Sequence, residues 1–302
     1  MIKQTVRNTA TALLKEDFAD IDYIVKGLIG EGLTLFGGKP KLGKSIFVLN
    51  VALSVSSGFD FLGRAVKKGV VAYLSLENGK RTTKKRLGEM LGRFSDGDAN
   101  TDDLLIENKW GTDPISELDN YLSDNADVTF VIIDTLMKFF SRIEATYNNT
   151  YIQIDNLRKV SSAHDVPILV IDHLIKSDSS HLIDMFSNSN GKTGAADNLM
   201  GLLHSKKYDA ELHVMGRDVE DTIIPLEKLR ECKFWDVKSE GKETVQKDQL
   251  LAAIKKFEGM FSPLEVAEAS NVDPRYCRKM LHSWEAKQRY VQKVARGQYK
   301  AI

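Results

Sequence analysis

Strand-length apolar runs alternate with longer amphipathic stretches along the first two thirds of the chain, the pattern of a parallel sheet covered by helices on both faces. The runs predict strands at Leu33–Phe36, Val70–Leu76, Leu104–Ile106, Val128–Ile133 and Ile168–Ile171. Between them, the helical period predicts Lys44–Ser56, Arg81–Phe94, Ile115–Asp124 and Tyr151–His164. After Gly194 the rhythm tightens to closely spaced runs, Met200–His204, Leu212–Met215, Ile223–Leu229 and Glu231–Val237, which predict an antiparallel extension. The polar stretch Lys238–Thr244 reads as the end of this unit, giving a domain over residues 1–240.

A second pattern follows over residues 246–302. Gln246–Glu258 has apolar residues at helical spacing, Ser262-Pro263-Leu264-Glu265 carries a capping signal for a short helix, and Arg275–Lys287 predicts a third helix. Tyr290–Val294 and Gln298–Ala301 flank a turn at Arg296-Gly297. Three helices followed by a hairpin resemble a winged helix-turn-helix.

Net charge is zero, with 42 basic and 42 acidic residues, so a uniformly basic nucleic-acid coat is excluded. Its distribution is uneven. From Gln246 onward there are 11 Lys and Arg against 6 Asp and Glu, and from Asn271 onward 8 against 2, which gathers positive charge on the third helix and the hairpin. Two cysteines, Cys232 and Cys277, without Cys-x-x-Cys spacing give neither a disulfide framework nor a zinc site. The polar N-terminal stretch and the absence of a membrane-length apolar run predict a soluble cytoplasmic chain with no membrane partner.

Candidate chemistry begins with Gly38-Lys39-Pro40-Lys41-Leu42-Gly43-Lys44-Ser45, a complete G-x-x-x-x-G-K-[ST] between a predicted strand and a predicted helix. Such a loop turns backbone amides toward phosphate oxygens; Lys44 reaches the β and γ phosphates and Ser45 holds magnesium. Pro40 offers no amide, so the nucleotide contacts fall to Gly38, Lys41, Gly43, Lys44, Ser45 and Ile46. Asp134 ends a buried strand and suits a magnesium ligand acting through water opposite Ser45. Glu77 ends another strand. Thr135 follows Asp134 where an acidic base could have stood, which makes Glu77 the candidate to polarise the attacking water.

Together with Val25-Lys26-Gly27-Leu28, Gly32–Gly38, Leu74-Ser75-Leu76-Glu77, Ile133-Asp134 and Ile171-Asp172-His173-Leu174-Ile175-Lys176, the loop occurs in the order seen in RecA-type ATPases. Over about residues 20–235 the chain resembles the RepA-like hexameric replicative helicases of plasmids, phages and mobile elements. That resemblance implies a RecA-like P-loop core, ATP and magnesium as ligands, a homo-oligomer, hexameric in this family, and single-stranded DNA in the ring's pore. It also implies that Glu77 is the catalytic glutamate, that His173 senses the γ-phosphate, and that Arg217, in Met215-Gly216-Arg217-Asp218, reaches a neighbouring subunit's phosphates. The implied DNA loops are Met137–Asn149 and Lys176–Lys192, with Lys138, Arg142, Lys176 and Lys192 as phosphate contacts; Phe139, Phe140 and Phe186 are candidates for base stacking, with packing the favoured reading. The family often has a Gly-Ser pair before Ala-Ala-Asp, whereas here Gly191-Lys192-Thr193-Gly194 precedes Ala195-Ala196-Asp197. In the C-terminal unit Arg275, Arg278, Lys279 and Arg296 are the candidates for duplex contact, and the alternative for this unit is a protein-docking or packing module. A ring-forming helicase or translocase is the function implied. The alternative is an ATP-dependent DNA-binding regulator or helicase loader that does not unwind, and a nucleotide-gated signalling ATPase on the same core is a third class.

Overall fold

The computed structural model describes residues 9–17, 21–92, 94, 99–141, 147–175, 181–186, 189–217, 219–257, 259–286, 290–295 and 297–301. After a short helix α1 (Ala10–Leu13), elements alternate: β1 (Leu33–Gly38), α2 (Lys44–Ser57), β2 (Val70–Ser75), α3 (Lys80–Leu91), β3 (Leu104–Glu107), α4 (Pro114–Asp124) and β4 (Val128–Asp134). Two helices, α5 (Leu136–Phe139) and α6 (Tyr147–His164), lead to β5 (Ile168–His173), and two short ones, α7 (Leu182–Met185) and α8 (Ser189–Ala195), to β6 (Asn198–Leu203). Three more strands complete the sheet, β7 (Ala210–Gly216), β8 (Thr222–Leu229) and β9 (Phe234–Val237). The chain continues through α9 (Ser239–Ile254), β10 (Met260–Phe261), α10 (Pro263–Ser270), α11 (Pro274–Ala286), β11 (Val291–Ala295) and β12 (Gln298–Ala301).

The large sheet has nine strands in the order β3-β2-β4-β5-β1-β6-β7-β8-β9. Its strands β1 to β6 run parallel, as the crossover helices require. Period-2 alternation divides the strand residues between two cores. Phe36, Val71, Tyr73, Phe130, Ile132 and Ile171 join α2 on one face, whereas Leu35, Leu74, Val131, Ile133 and Val170 join α4 and α6 on the other. Burial on both faces is why these segments read as continuous apolar runs. The expectation that antiparallel pairing begins with the run at Met200 is corrected by the register: β6 pairs parallel with β1, and the direction reverses at β7.

A third hydrophobic cluster, including Leu250, Ile254, Phe261, Val266, Cys277, Leu281, Trp284, Val291 and Tyr299, is built from residues of the C-terminal segment. There three helices accompany a three-stranded antiparallel sheet in the order β10-β12-β11. The capping box of α10 forms as its sequence predicts: Glu265 N donates to Ser262 Oγ at 3.3 Å and Ser262 N to Glu265 Oε2 at 2.7 Å. Asn271, in the left-handed region at φ +53°, ends that helix. The polar stretch Lys238–Thr244 is not a break, because α9 starts at Ser239, seven residues before the predicted helix. No described helix is long and apolar enough to cross a membrane.

Candidate nucleotide site

Parallel register brings the chemistry to one end of the sheet. Gly38 pairs with His173 across β1 and β5, and Ser75 pairs with Asp134 across β2 and β4, so the loop after β1, Glu77 and Asp134 all leave from C-terminal strand ends. The loop turns into α2 through Gly43, whose φ of +108° suits glycine, and a Cβ there would come within 3.3 Å of the Trp235 ring. A cleft of about 410 Å³ opens beside it, lined by Lys41, Ser45, Ile46, Glu77, Asn78 and His173 among others.

Lys44 is buried, and its Nζ donates to Gly38 O at 2.7 Å and Lys39 O at 3.2 Å, and lies 3.3 Å from His173 Nδ1. Burial lowers its pKa, and the carboxylates of Glu77, Asp134 and Asp172 oppose that fall. Asp134 is fully buried. Burial raises its carboxyl pKa, while the Tyr73 hydrogen bond and the nearby Ser45 hydroxyl pull it down. Its Oδ2 accepts from the Tyr73 hydroxyl at 2.8 Å and from Asn78 Nδ2 at 3.4 Å, whereas Oδ1 is buried with no partner among the described residues. That orphaned acceptor beside the Ser45 hydroxyl is a donor set suited to magnesium, which takes one or two protein oxygens and completes its shell with phosphate and water. Glu77 is exposed at the cleft rim and held there by its backbone, since Leu76 N and Glu77 N both donate to Asp134 O, at 2.8 and 3.0 Å.

Arg217 lies elsewhere. It follows β7, whose Gly216 pairs with Asn198 at the start of β6, so it stands at the end of the sheet opposite the phosphate-binding loop. The side chain is exposed, with Nη1 3.4 Å from Asp197 Oδ1. Of the expected DNA contacts, Lys138 is exposed on α5 and Arg278 on α11. Lys192 is a correction: its ammonium is buried on α8 in a 2.7 Å ion pair with Asp172 Oδ2, so it is a structural cation and not a phosphate contact. Phe139, Phe140 and Phe186 are buried in the core, as packing predicts. Arg142, Lys176 and Arg296 lie outside the described residues, as do the side chains of Arg275 and Lys279.

Three neighbours of the site escape sequence reasoning. Arg86 on α3 and Lys228 on β8 line the cleft. Lys228 Nζ stands 5.6 Å from the Trp235 ring centroid, and burial lowers its pKa with help from Lys233. Tyr73 sits inside an apolar run and reads as core. Arg86 had a signal, in a helix whose first seven residues include Lys80, Arg81, Lys84, Lys85 and Arg86. Lys228 had none, because its place at the cleft joins elements far apart in sequence.

The family profile described as AAA domain matches residues 3–179. Among solved structures, the chain is similar to the KaiC-like protein PH0186 from Pyrococcus horikoshii OT3, at 12% identity and a TM-score of 0.50, over 71% of this chain and 93% of that one. It is also similar to the RadB recombinase, at 14% identity and a TM-score of 0.52, over 70% and 93%. No curated protein matches the sequence. The likenesses are of fold, and the chain belongs to the AAA domain family, with a RecA-like P-loop core.

Proposed function

We propose that the protein is a magnesium-dependent ATPase that acts on DNA as a ring of identical subunits, a hexamer by the family resemblance, serving as a replicative helicase or translocase of a plasmid, phage or mobile element. The observation that carries this reading is the separation of Lys44 from Arg217. Thr34 pairs with Asn198, and Asn198 with Gly216, so four residue steps of β1 separate that level from Gly38, about 13 Å at the usual strand rise. A guanidinium at the far end of the sheet can complete a phosphate site only by head-to-tail association with another copy.

Within one site, Lys44 would exchange its carbonyl partners for the β and γ phosphates. Ser45 and Asp134 would hold magnesium, which when bound neutralises charge across those phosphates. Glu77 takes the proton of the attacking water, and the neighbour's Arg217 stabilises charge on the transferring phosphoryl group. His173, beside Lys44 Nζ at the end of β5, reads the γ-phosphate and links its state to the DNA-binding loop beyond the strand. Lys138 beyond β4 would meet the DNA strand. The C-terminal unit, residues 246–302 with α9 extending it back to 239, is a winged helix in this reading, and α11, on which Arg278 is exposed, is its duplex-binding element. That unit also favours the second reading, a regulator or loader that binds duplex without separating strands.

Native mass measurement with the slowly hydrolysed analogue ATPγS and forked DNA, followed by an unwinding assay, tests the proposal. A ring that separates the fork supports it, and binding without strand separation supports the second reading. For the trans site, Arg217→Ala subunits mixed with Lys44→Ala subunits regain ATPase activity, since an intact loop then meets an intact Arg217. No recovery despite proven co-assembly removes the trans role.

A further inference from the structure

The end of the sheet that carries Arg217 also carries a groove of about 530 Å³, lined by Tyr23, Lys26, Arg64, Arg217 and Glu220. A neighbouring hollow shares Tyr23 and Lys26 and extends the groove to Lys67. The Val25-Lys26-Gly27-Leu28 turn builds its wall, with Val25 bridged to Ile29 and to Val66. Gly27 adopts φ +67°, and a Cβ there would lie 2.9 Å from Arg64 Nη1. Glycine therefore serves the turn twice, taking a left-handed conformation and letting a guanidinium lie across the backbone. Arg64 Nη1 donates to Lys26 O at 3.1 Å, which fixes the side chain half-buried in the groove.

Among the described residues Arg64 has no carboxylate partner, in contrast to Lys67, paired with Asp22, and Arg217, close to Asp197. Burial lowers the pKa of Arg64, the sign that its charge is partly stripped of water without a countercharge. A half-buried guanidinium with unused N–H groups, beside Lys26 and Arg217, is a fork waiting for an anion with several oxygens. Its own chain's phosphate-binding loop is at the other end of the sheet.

We propose that this groove is a polyphosphate subsite in which Arg64 and Lys26 bind, beside Arg217, the phosphates of the nucleotide held on the loop of a neighbouring copy. The inference rests on the trans reading of Arg217 and extends it to the Lys26-Gly27 turn, which the cis site leaves without a role. Phosphate is the fitting anion because its oxygens accept from both guanidinium forks at once.

The test uses the full chain. Arg64→Ala is expected to associate as the parent does and to lose on the order of a hundredfold in ATP turnover, the scale of one transition-state donor. Arg64→Lys retains part of the activity, and Arg64→Ala mixed with Lys44→Ala regains it. Lys26→Ala, at an exposed side chain that leaves folding untouched, lowers turnover by a smaller factor and keeps the proposal open to refutation if Arg64→Ala does not fold. ATPγS is expected to bind once per chain and to be lost in Lys44→Ala. Parental turnover in the assembled Arg64→Ala protein, or in assembled Lys26→Ala where Arg64→Ala does not fold, overturns the inference. So does ATPγS that stays bound to Lys44→Ala and is lost only when Arg64→Ala is added, for the groove then takes free nucleotide. If Arg217→Ala complements Lys44→Ala while Arg64→Ala is fully active, this inference falls and the trans site stands. If Arg217→Ala does not complement, both fall.

Discussion

Tyr73 donates its hydroxyl hydrogen to Asp134 Oδ2 over 2.8 Å, from β2 to β4, in a space closed to solvent. Burial and the adjacent carboxylate hold the phenol well above its ordinary pKa, so it stays a donor. The bond in turn lowers the pKa of Asp134. Tyr73→Phe is expected to raise that pKa further and move the acid limb of the ATPase profile to higher pH. It should also destabilise the fold by about 1–3 kcal/mol, the cost of stripping a donor from a buried charged acceptor. A pH series of kcat/KM and a urea titration read the two effects; an unmoved acid limb would show that Asp134 does not set it.

Asp134→Asn separates stability from activity. Because burial dominates and the folded-state pKa lies above the unfolded one, ionised Asp134 opposes folding at pH above its folded pKa. The penalty shrinks as pH falls through that value and vanishes below the unfolded pKa of about 3.9. The amide variant should therefore melt higher than the parent at neutral pH, lose that advantage in acid, and fail to hydrolyse ATP. Thermal melts across pH check the sign.

Lys44→Ala and Glu77→Gln should fail at different steps. The first removes a buried ammonium whose partners are loop carbonyls, so the chain stays folded and loses ATP turnover. The second keeps the phosphate contacts and is expected to bind ATP while hydrolysing it on the order of a hundredfold more slowly. Normal phosphate release by Glu77→Gln moves the base to another residue.

Lys192→Ala distinguishes a structural lysine from a DNA contact. With Lys192 and Asp172 side chains only 10% and 7% exposed, removing one partner strands a buried carboxylate and should cost about 3–5 kcal/mol. Adding Asp172→Asn should return much of that stability. A stable single variant with weakened DNA binding would restore Lys192 to the surface role.

Removing the C-terminal unit requires a cut at 238, since one at 246 leaves the first turns of α9 as a stub. The shortened chain should keep its two sheet-flanking cores and bind duplex DNA more weakly, with a salt slope shallower by about one for each phosphate it no longer neutralises. Anisotropy titrations at several salt concentrations measure both, and unchanged affinity would favour a protein-docking role.

The parallel half of the fold was legible because its strands are buried on both sides, which leaves little doubt about where an apolar run such as Val128–Asp134 begins. Signals made of backbone rules also survived, as at the Ser262 and Glu265 cap. What failed needed knowledge of neighbours. Ser239–Thr244 is polar all round and lacks the apolar period that would mark it as helix. Lys192 sits between glycines and reads as loop, and only the docking of α8 beside the end of β5 brings it to Asp172. Tyr73 with Asp134, and Arg64 with Gly27, are meetings of separate elements that no local pattern encodes.

The nine-stranded sheet tapers to four residues at both sides, Leu104–Glu107 and Phe234–Val237. The segment of β8 that β9 leaves uncovered, Thr222–Pro225, ends on a proline, which has no amide to offer. An incoming strand finds few partners at such margins, which disfavours edge-to-edge pairing of this broad sheet. Among the described residues of that sheet, the strand tips that carry Lys44 at one end and Arg217 at the other are then the surfaces through which copies would meet in the proposed ring.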